Sequence, residues 1–388
     1  MRPLQGTRVL DLSRLLPGPF ATLILADLGA TVDKLEDTGG GDYLRHMPPP
    51  MGGRGESAAF QLINRGKRSA VLDLKKPEAR AAMKRLVATY DVLFDQFRPG
   101  VLARLGLAHH ELLEASPRLV ICALTGYGQT GELAARAGHD LNYLARSGVL
   151  GAHGPADGPP QVPGFQLADM SGGMWAVIAI QAALMERART GRGRVLDIAM
   201  TDGVLGFSAL AVSGALAGQE VRRGGDVITG GIAPYFTYLS SDAHPITLAA
   251  LEPKFWAAFC AGAGLEVDLH ALLPGPHQAA LKERLAGLFA SKTRAQWAAF
   301  GAEHDCCVEP ITLPSEMTTD AHLASRGLFF TLKTREGDLP QVRTPVTPRD
   351  ERFTPPPRAG EHTREILREG GLSDAEIDAL VKSGAARE

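Results

Sequence analysis

Strand-like and helix-like stretches alternate through the first third of the chain, and that alternation restricts the fold more than any single motif. Residues 8–12, 31–35, 69–74, 92–94 and 119–124 read as short apolar strands, while residues 21–28 and 76–90 carry helical spacing. Such an order predicts an α/β fold whose parallel sheet is joined by crossover helices, because parallel neighbours need a connection long enough to cross the sheet. LLPGPF after the first strand is a turn, and Gly29 closes the first helix. A helix is expected over 172–190, followed by RGRGRVLDIAM, a turn into another strand. From about residue 220 the pattern changes to two short antiparallel strands, then helices over 253–263 and 278–290, which together make a second lobe. Beyond about 325 the chain reads as a long, extended, proline-rich connection. Ser373 with Glu376 three residues later is a capping box that opens the last helix.

The 388 residues suffice for two domains or one with an inserted lobe, and 45% hydrophobic with 22% charged residues is an ordinary globular balance. Lys and Arg number 41 against 43 Asp and Glu, and no block of five like charges occurs. A nucleic-acid groove or a polybasic membrane anchor is therefore not expected. The four cysteines, Cys122, Cys260, Cys306 and Cys307, form no CxxC pair, and no histidine cluster has zinc-ligand spacing. That pattern predicts a reduced, cytoplasmic enzyme without a metal. No apolar signal core begins the chain, and the longest apolar stretch, 174–185, is too short to span a membrane.

Gly126, Gly128 and Gly131 spell GxGxxG directly after a strand, the position of a dinucleotide fingerprint. The helix and the acidic residue that should follow are missing, so a nicotinamide site is not expected. Basic residues gather near strand ends: Arg65, Lys67 and Arg68 in INRGKRS, and Arg98 and Arg104 in FRPGVLARLGL, where they could hold phosphates. Basic groups on loops are more often simply solvated.

The stretch AGHDLNYLARSG (137–148) places His139 in a glycine-framed loop, and Asp169 follows in FQLADMSGG. An imidazole and a carboxyl can take up and return a proton near neutrality, as a base on one face of a weakly acidic carbon and an acid on the other must. On spacing alone, a solvated loop pair and a helix N-cap explain the same residues.

Longer motifs go further. LLPGPFATLILADLGA (15–30), NRGKRSAVLDLKKPE (64–78), FRPGVLARLGL (97–107), TGYGQTGELAARAGHDLNYLARSG (125–148), GRVLDIAMTDGVL (193–205), ALEPKFW (250–256) and GEHTREIL (360–367) resemble the class III CoA-transferase family, and most closely its racemase branch. The resemblance implies an interlocked homodimer. It implies a Rossmann-like large domain from residues 1–215, completed by a return segment 326–388, around a smaller α+β domain at 216–325. The implied substrate is an acyl-CoA thioester, with no metal and no cofactor beyond the CoA moiety of the substrate itself.

By the same resemblance, Val71, Leu72, Asp73 and Leu74, and Gly138, Asp140, Asn142 and Tyr143, fall where the family contacts CoA. Phe97, Arg98 and Arg104 join them. Asp37 stands where racemases carry a CoA-binding arginine, which leaves Lys34 as the nearest basic substitute. Asp169 matches a carboxylate that is a nucleophile in transferases and an acid/base in racemases. His139 marks the racemase branch, and Glu252 matches a glutamate that supports the histidine. Without the resemblance, Glu252 beside Pro253 reads as a helix-start carboxylate.

The expected reaction is epimerisation at the α-carbon of a 2-methylacyl-CoA by proton transfer through an enolate. His139, held by Glu252, and Asp169 would act on opposite faces, and backbone N–H groups at the start of the 172–190 helix would bind the enolate oxygen. The alternatives are CoA transfer through an aspartyl-CoA thioester and a catalytically idle acyl-CoA-binding protein.

Overall fold

A computed structural model describes every residue except Met1 and Glu351. The chain divides into two compact units, one from residues 1–147, 165–207 and 324–388, the other from 148–164 and 208–323. These bounds depart from the sequence reading at one place above all. The short segment 148–164 belongs with the second unit, where Arg223 Nε donates to the Pro155 carbonyl at 2.8 Å.

The first unit is built on a seven-stranded sheet. Six strands are parallel: β1 (Arg8–Asp11), β2 (Thr31–Glu36), β3 (Lys67–Leu72), β4 (Val92–Asp95), β5 (Val120–Thr125) and β6 (Val195–Ala199). They lie in the order 3-2-1-4-5-6, with a C-terminal strand, Ala386–Arg387, antiparallel on the outer edge of β3. This is the doubly wound arrangement that the alternating pattern predicts. Strands buried on both faces read as unbroken apolar runs, and β4 and β5 are buried at every residue.

Helix α1 (Pro17–Asp27) starts on the two prolines of LLPGPF, earlier than the spacing suggested, because proline fits the first helical turn, where its missing N–H has no partner to lose. Gly29 follows with φ +102°, a left-handed conformation that suits glycine. Helix α2 (Pro77–Val87) buries Ala79, Ala82, Met83, Leu86 and Val87 against the sheet. A short helix, α3 (Asp140–Arg146), which the spacing did not reveal, precedes the long α4 (Leu167–Thr190) and α5 (Met200–Gly206).

The α4 helix begins five residues before the expected 172, so Asp169 lies within its first turn. Its Gly173 approaches α1 so closely that a Cβ there would stand 2.7 Å from the Pro17 carbonyl oxygen. At 24 residues and a mean hydropathy of 1.3 over its apolar window, α4 is long and apolar enough to cross a membrane by length and composition. The 174–185 stretch alone understated it. One face of α4 is nevertheless packed inside the unit, through Gly172, Gly173, Ala176, Val177, Ile180 and Ala183.

In the second unit, β7 (Tyr235–Leu239), β8 (Pro245–Ala249) and β9 (Val308–Pro310) form an antiparallel sheet, one strand more than expected. Helices α6 (Pro253–Ala263), α7 (His277–Phe289) and α8 (Arg294–His304) enclose an aromatic core. Phe289 stacks on Tyr238 at 4.6 Å and leans on Trp297 at 4.4 Å, while Trp297 Nε1 donates to the Phe289 carbonyl at 2.8 Å. Each ring buries a large apolar area, and the indole N–H keeps a partner.

The return segment is not wholly extended. Residues 329–342 fold into a hairpin of β10 (Phe329–Thr334) and β11 (Gly337–Val342). Its turn, Arg335–Glu336, carries none of the Asn-Gly signals by which short hairpins are recognised. Ser373 caps the last helix, Asp374–Lys382, as expected: its N–H donates to Glu376 Oε2 at 2.7 Å.

Candidate active site

Strand order reverses between β1 and β4, and a crevice at the C-terminal ends of the strands is the natural ligand site of such a sheet. Two cavities open there, of about 340 and 460 Å³. The first is walled by the ends of β1, β2 and β3, with Leu72, Asp73, Leu74 and Asp37 among its lining; the second is walled by the ends of β4 and β5 and by α3 and α4. Arg14, Phe97 and Val101 line both.

His139, Asp169, Gly138, Tyr143, Phe97 and Arg98 all line the second cavity. Asp169 comes from the first turn of α4, and His139 is the N-cap of α3. Asn142 holds the histidine backbone by accepting from His139 N at 3.0 Å. Tyr143 donates its hydroxyl to the Gly138 carbonyl at 2.5 Å and meets the Tyr127 ring edge-on at 5.1 Å. Only glycine fits at 126 and 138, where a Cβ would lie 2.3 and 2.7 Å from the Tyr143 ring. This explains two glycines of the region without any dinucleotide.

Asp140 has a different place from the CoA contact expected of it. Its Oδ1 accepts from Ala168 N at 2.7 Å and Asp169 N at 3.0 Å, which caps the head of α4. The expectation that these α4 amides bind an enolate oxygen is therefore corrected: Asp140 already occupies them. Burial pushes the Asp169 carboxyl up to about 7, and the Asp140 carboxylate adds to the effect by repelling a second negative charge. The Asp169 side chain itself makes no hydrogen bond among the described residues.

Lys34 also differs. It is fully buried, donates to the Ser13 carbonyl at 2.7 Å and pairs with Asp42 at 2.9 Å. A lysine so committed has no reach to a phosphate. Asp42 Oδ1 in turn accepts from Leu15 N and Leu44 N. The charged floor beneath the first cavity thus holds Leu15 at φ +63° in the wall of the second. Beside it, Arg45 grips Glu36 at 2.6 Å, and these hydrogen bonds hold the Glu36 carboxyl down at about 2 against the effect of burial.

Val71 is buried within β3, with its N–H donated to Thr363 Oγ1. Arg104 is exposed and lines neither cavity. Glu252 is the N-cap of α6, in the second unit. Arg14 was missed by the sequence reading. Its guanidinium lies over Tyr43 at 5.0 Å and Phe97 at 5.5 Å, in both cavity walls. The signal was available, since Arg14 follows β1 where the strand order reverses. No metal-binding group of His, Cys, Asp and Glu occurs among the described residues, and the four cysteines are free.

An α/β protein with crevices at the switch point of a doubly wound sheet is the class this arrangement defines. Residues 4–363 match the model of CoA-transferase family III. The chain is 37% identical to human alpha-methylacyl-CoA racemase over 97% of its own length and 96% of the relative's. It is 35% identical to the succinate–glutarate CoA-transferase of Agrobacterium fabrum over 95% of each chain. The crystal structure of a CAIB/BAIF family protein from Brucella suis matches with a TM-score of 0.82 at 31% identity, covering 95% of this chain and 99% of that one. The chain belongs to CoA-transferase family III.

Proposed function

We propose that the protein epimerises the α-carbon of 2-methylacyl-CoA thioesters. The observation that carries this reading is that an imidazole, His139, and a carboxyl raised to about 7, Asp169, line one cavity. An imidazole side chain together with a carboxyl raised by burial suits a reaction in which one group takes a proton and another returns it. The human relative is itself named a racemase.

In this reading CoA lies along the two cavities, with Arg14 beside a phosphate and the thioester between His139 and Asp169. The N–H of Asp140, which opens α3 and has no acceptor among the described residues, is left to donate to the enolate oxygen. No cofactor beyond CoA itself and a cytoplasmic location belong to the same reading. Where Asp169 is the base it must be ionised, so turnover of that epimer rises as pH rises through about 7. Where it is the acid it must be protonated, and turnover of the other epimer falls above about 7.

CoA transfer is the second reading, favoured by the similarity to named CoA-transferases. It needs Asp169 ionised as a nucleophile, and a carboxyl that keeps its proton to about 7 is less suited to that. Incubating a 2-methylacyl-CoA with the enzyme in heavy water separates the two. Racemisation puts one deuterium at the α-carbon with no acceptor acid present and leaves no CoA on the protein. Acceptor-dependent transfer without α-exchange, and an Asp169 adduct trapped by hydroxylamine or borohydride, would establish the transferase instead.

We also propose a homodimer. Met174, Ile178 and Met185 are exposed on α4, with Met185 71% accessible, and Leu205 and Phe207 are exposed after it. A stripe of this kind is a contact surface, and a second copy is the expected cover. Sedimentation at micromolar concentration should show a dimer; a monodisperse monomer would refute it.

A further inference from the structure

Asp140 lies at the meeting of the two helices that carry the candidate acid and base. It is the first residue of α3, directly after His139, and its side chain crosses to α4 to accept from two amides there, one of them that of Asp169. One carboxylate therefore links the backbone of both reactive residues. The charged groups on the elements packed against α4 are His139, Asp140 and Arg146 on α3, Asp202 on α5, Asp197 on β6 and Asp27 on α1, with the Tyr143 phenol of α3 and Arg14, Arg98 and Arg136 on the cavity wall. Asp197 is engaged with Gln129 N at 3.0 Å, and Asp27, at the far end of α1, with Arg65 at 2.6 Å. Among the charged side chains of the described residues, only Asp140 bonds to the α4 head.

We propose that Asp140 is a positioning residue, which ties the Asp169 helix to the His139 helix and through its negative charge governs the protonation of Asp169. An uncharged residue such as serine or asparagine would cap α4 equally well. The carboxylate adds what a neutral cap lacks, a fixed charge that disfavours a second anion nearby. The repulsion has the same direction as the burial of Asp169 and helps to bring its titration to about 7. The mechanical and electrostatic parts are separable, because asparagine keeps the accepting oxygen and loses the charge.

This inference rests on the reading of Asp169 as the reactive carboxyl, and its test does not require turnover. The titration of Asp169 is followed in the intact protein by the pH dependence of its carbodiimide labelling, read by peptide mass spectrometry, beside α-proton exchange with both epimers. In Asp140→Asn the Asp169 midpoint should move to lower pH by about one unit with the thermal midpoint nearly unchanged. Asp140→Ser, a shorter neutral cap, is the second variant should asparagine not fold, with the same shift expected. A larger loss of stability is expected only for Asp140→Ala, which removes the cap. An Asp169 midpoint that stays in place in the folded neutral variant overturns the proposal. A shifted midpoint with no α-exchange in the wild type upholds Asp140 and refutes the racemase; α-exchange with an unmoved midpoint does the reverse.

Discussion

Asp169→Asn should abolish α-proton exchange from either epimer, with a loss of roughly 10²–10⁴-fold or more, the range that positioned acid–base groups contribute. The amide matches the carboxyl in size and cannot take the proton. The fold should survive, because the atom of Asp169 that holds the helix head is its backbone N–H, bonded to Asp140. His139→Ala should instead be lopsided, since each group serves one face of the carbon. The epimer that His139 deprotonates should lose exchange strongly, and the other should retain more of it. Deuterium incorporation into each pure epimer, measured separately, checks both. Wild-type exchange of both epimers in His139→Ala would remove the histidine from the chemistry.

The other large effect belongs to Lys34, and it is one of stability. Lys34→Met should cost about 3–5 kcal/mol, because it leaves the buried Asp42 without its cation. Asp11 and Glu36 also bear on that ammonium, and together these carboxylates hold its proton more tightly than usual despite burial. Urea denaturation of the variant measures the loss. A lysine that bound CoA would give the opposite result, a raised KM with the unfolding midpoint unmoved.

The difference between the two roles of Lys34 shows where sequence reading stops. Periodicity exposed the parallel sheet, since strands buried on both faces must be apolar throughout, as β4 and β5 are. The motifs carried His139, Asp169, Phe97 and Leu72–Leu74 to the cavity walls, because these residues follow strand ends or begin helices. Burial of a charge has no such signature. Lys34 occupies a strand position whose partners Asp42 and Ser13 lie beyond its own strand, Ser13 21 residues away, and nothing within the strand separates a buried lysine from a phosphate-binding one. The capping of α4 by Asp140 was hidden for a similar reason: the partners are 28 and 29 residues apart. Short helices such as α3, at seven residues, hold too few turns for an apolar stripe to stand out.

The order in which the chain leaves the ribosome gives the edge of the sheet another significance. β3 supplies Leu72 to the first cavity, and its outer edge is closed by Ala386–Arg387 and by His362 and Thr363, with Ala385 accepting from Asp73 N and Ser69 from His362 N, both at 2.8 Å. During synthesis those segments emerge after the whole of the second unit. Until then β3 presents an unpaired backbone, the kind of edge on which nascent chains aggregate. Closure of the β3 edge is thus a wait for segments made after the second unit, and a nascent chain stalled before them would expose the cavity wall as an open strand.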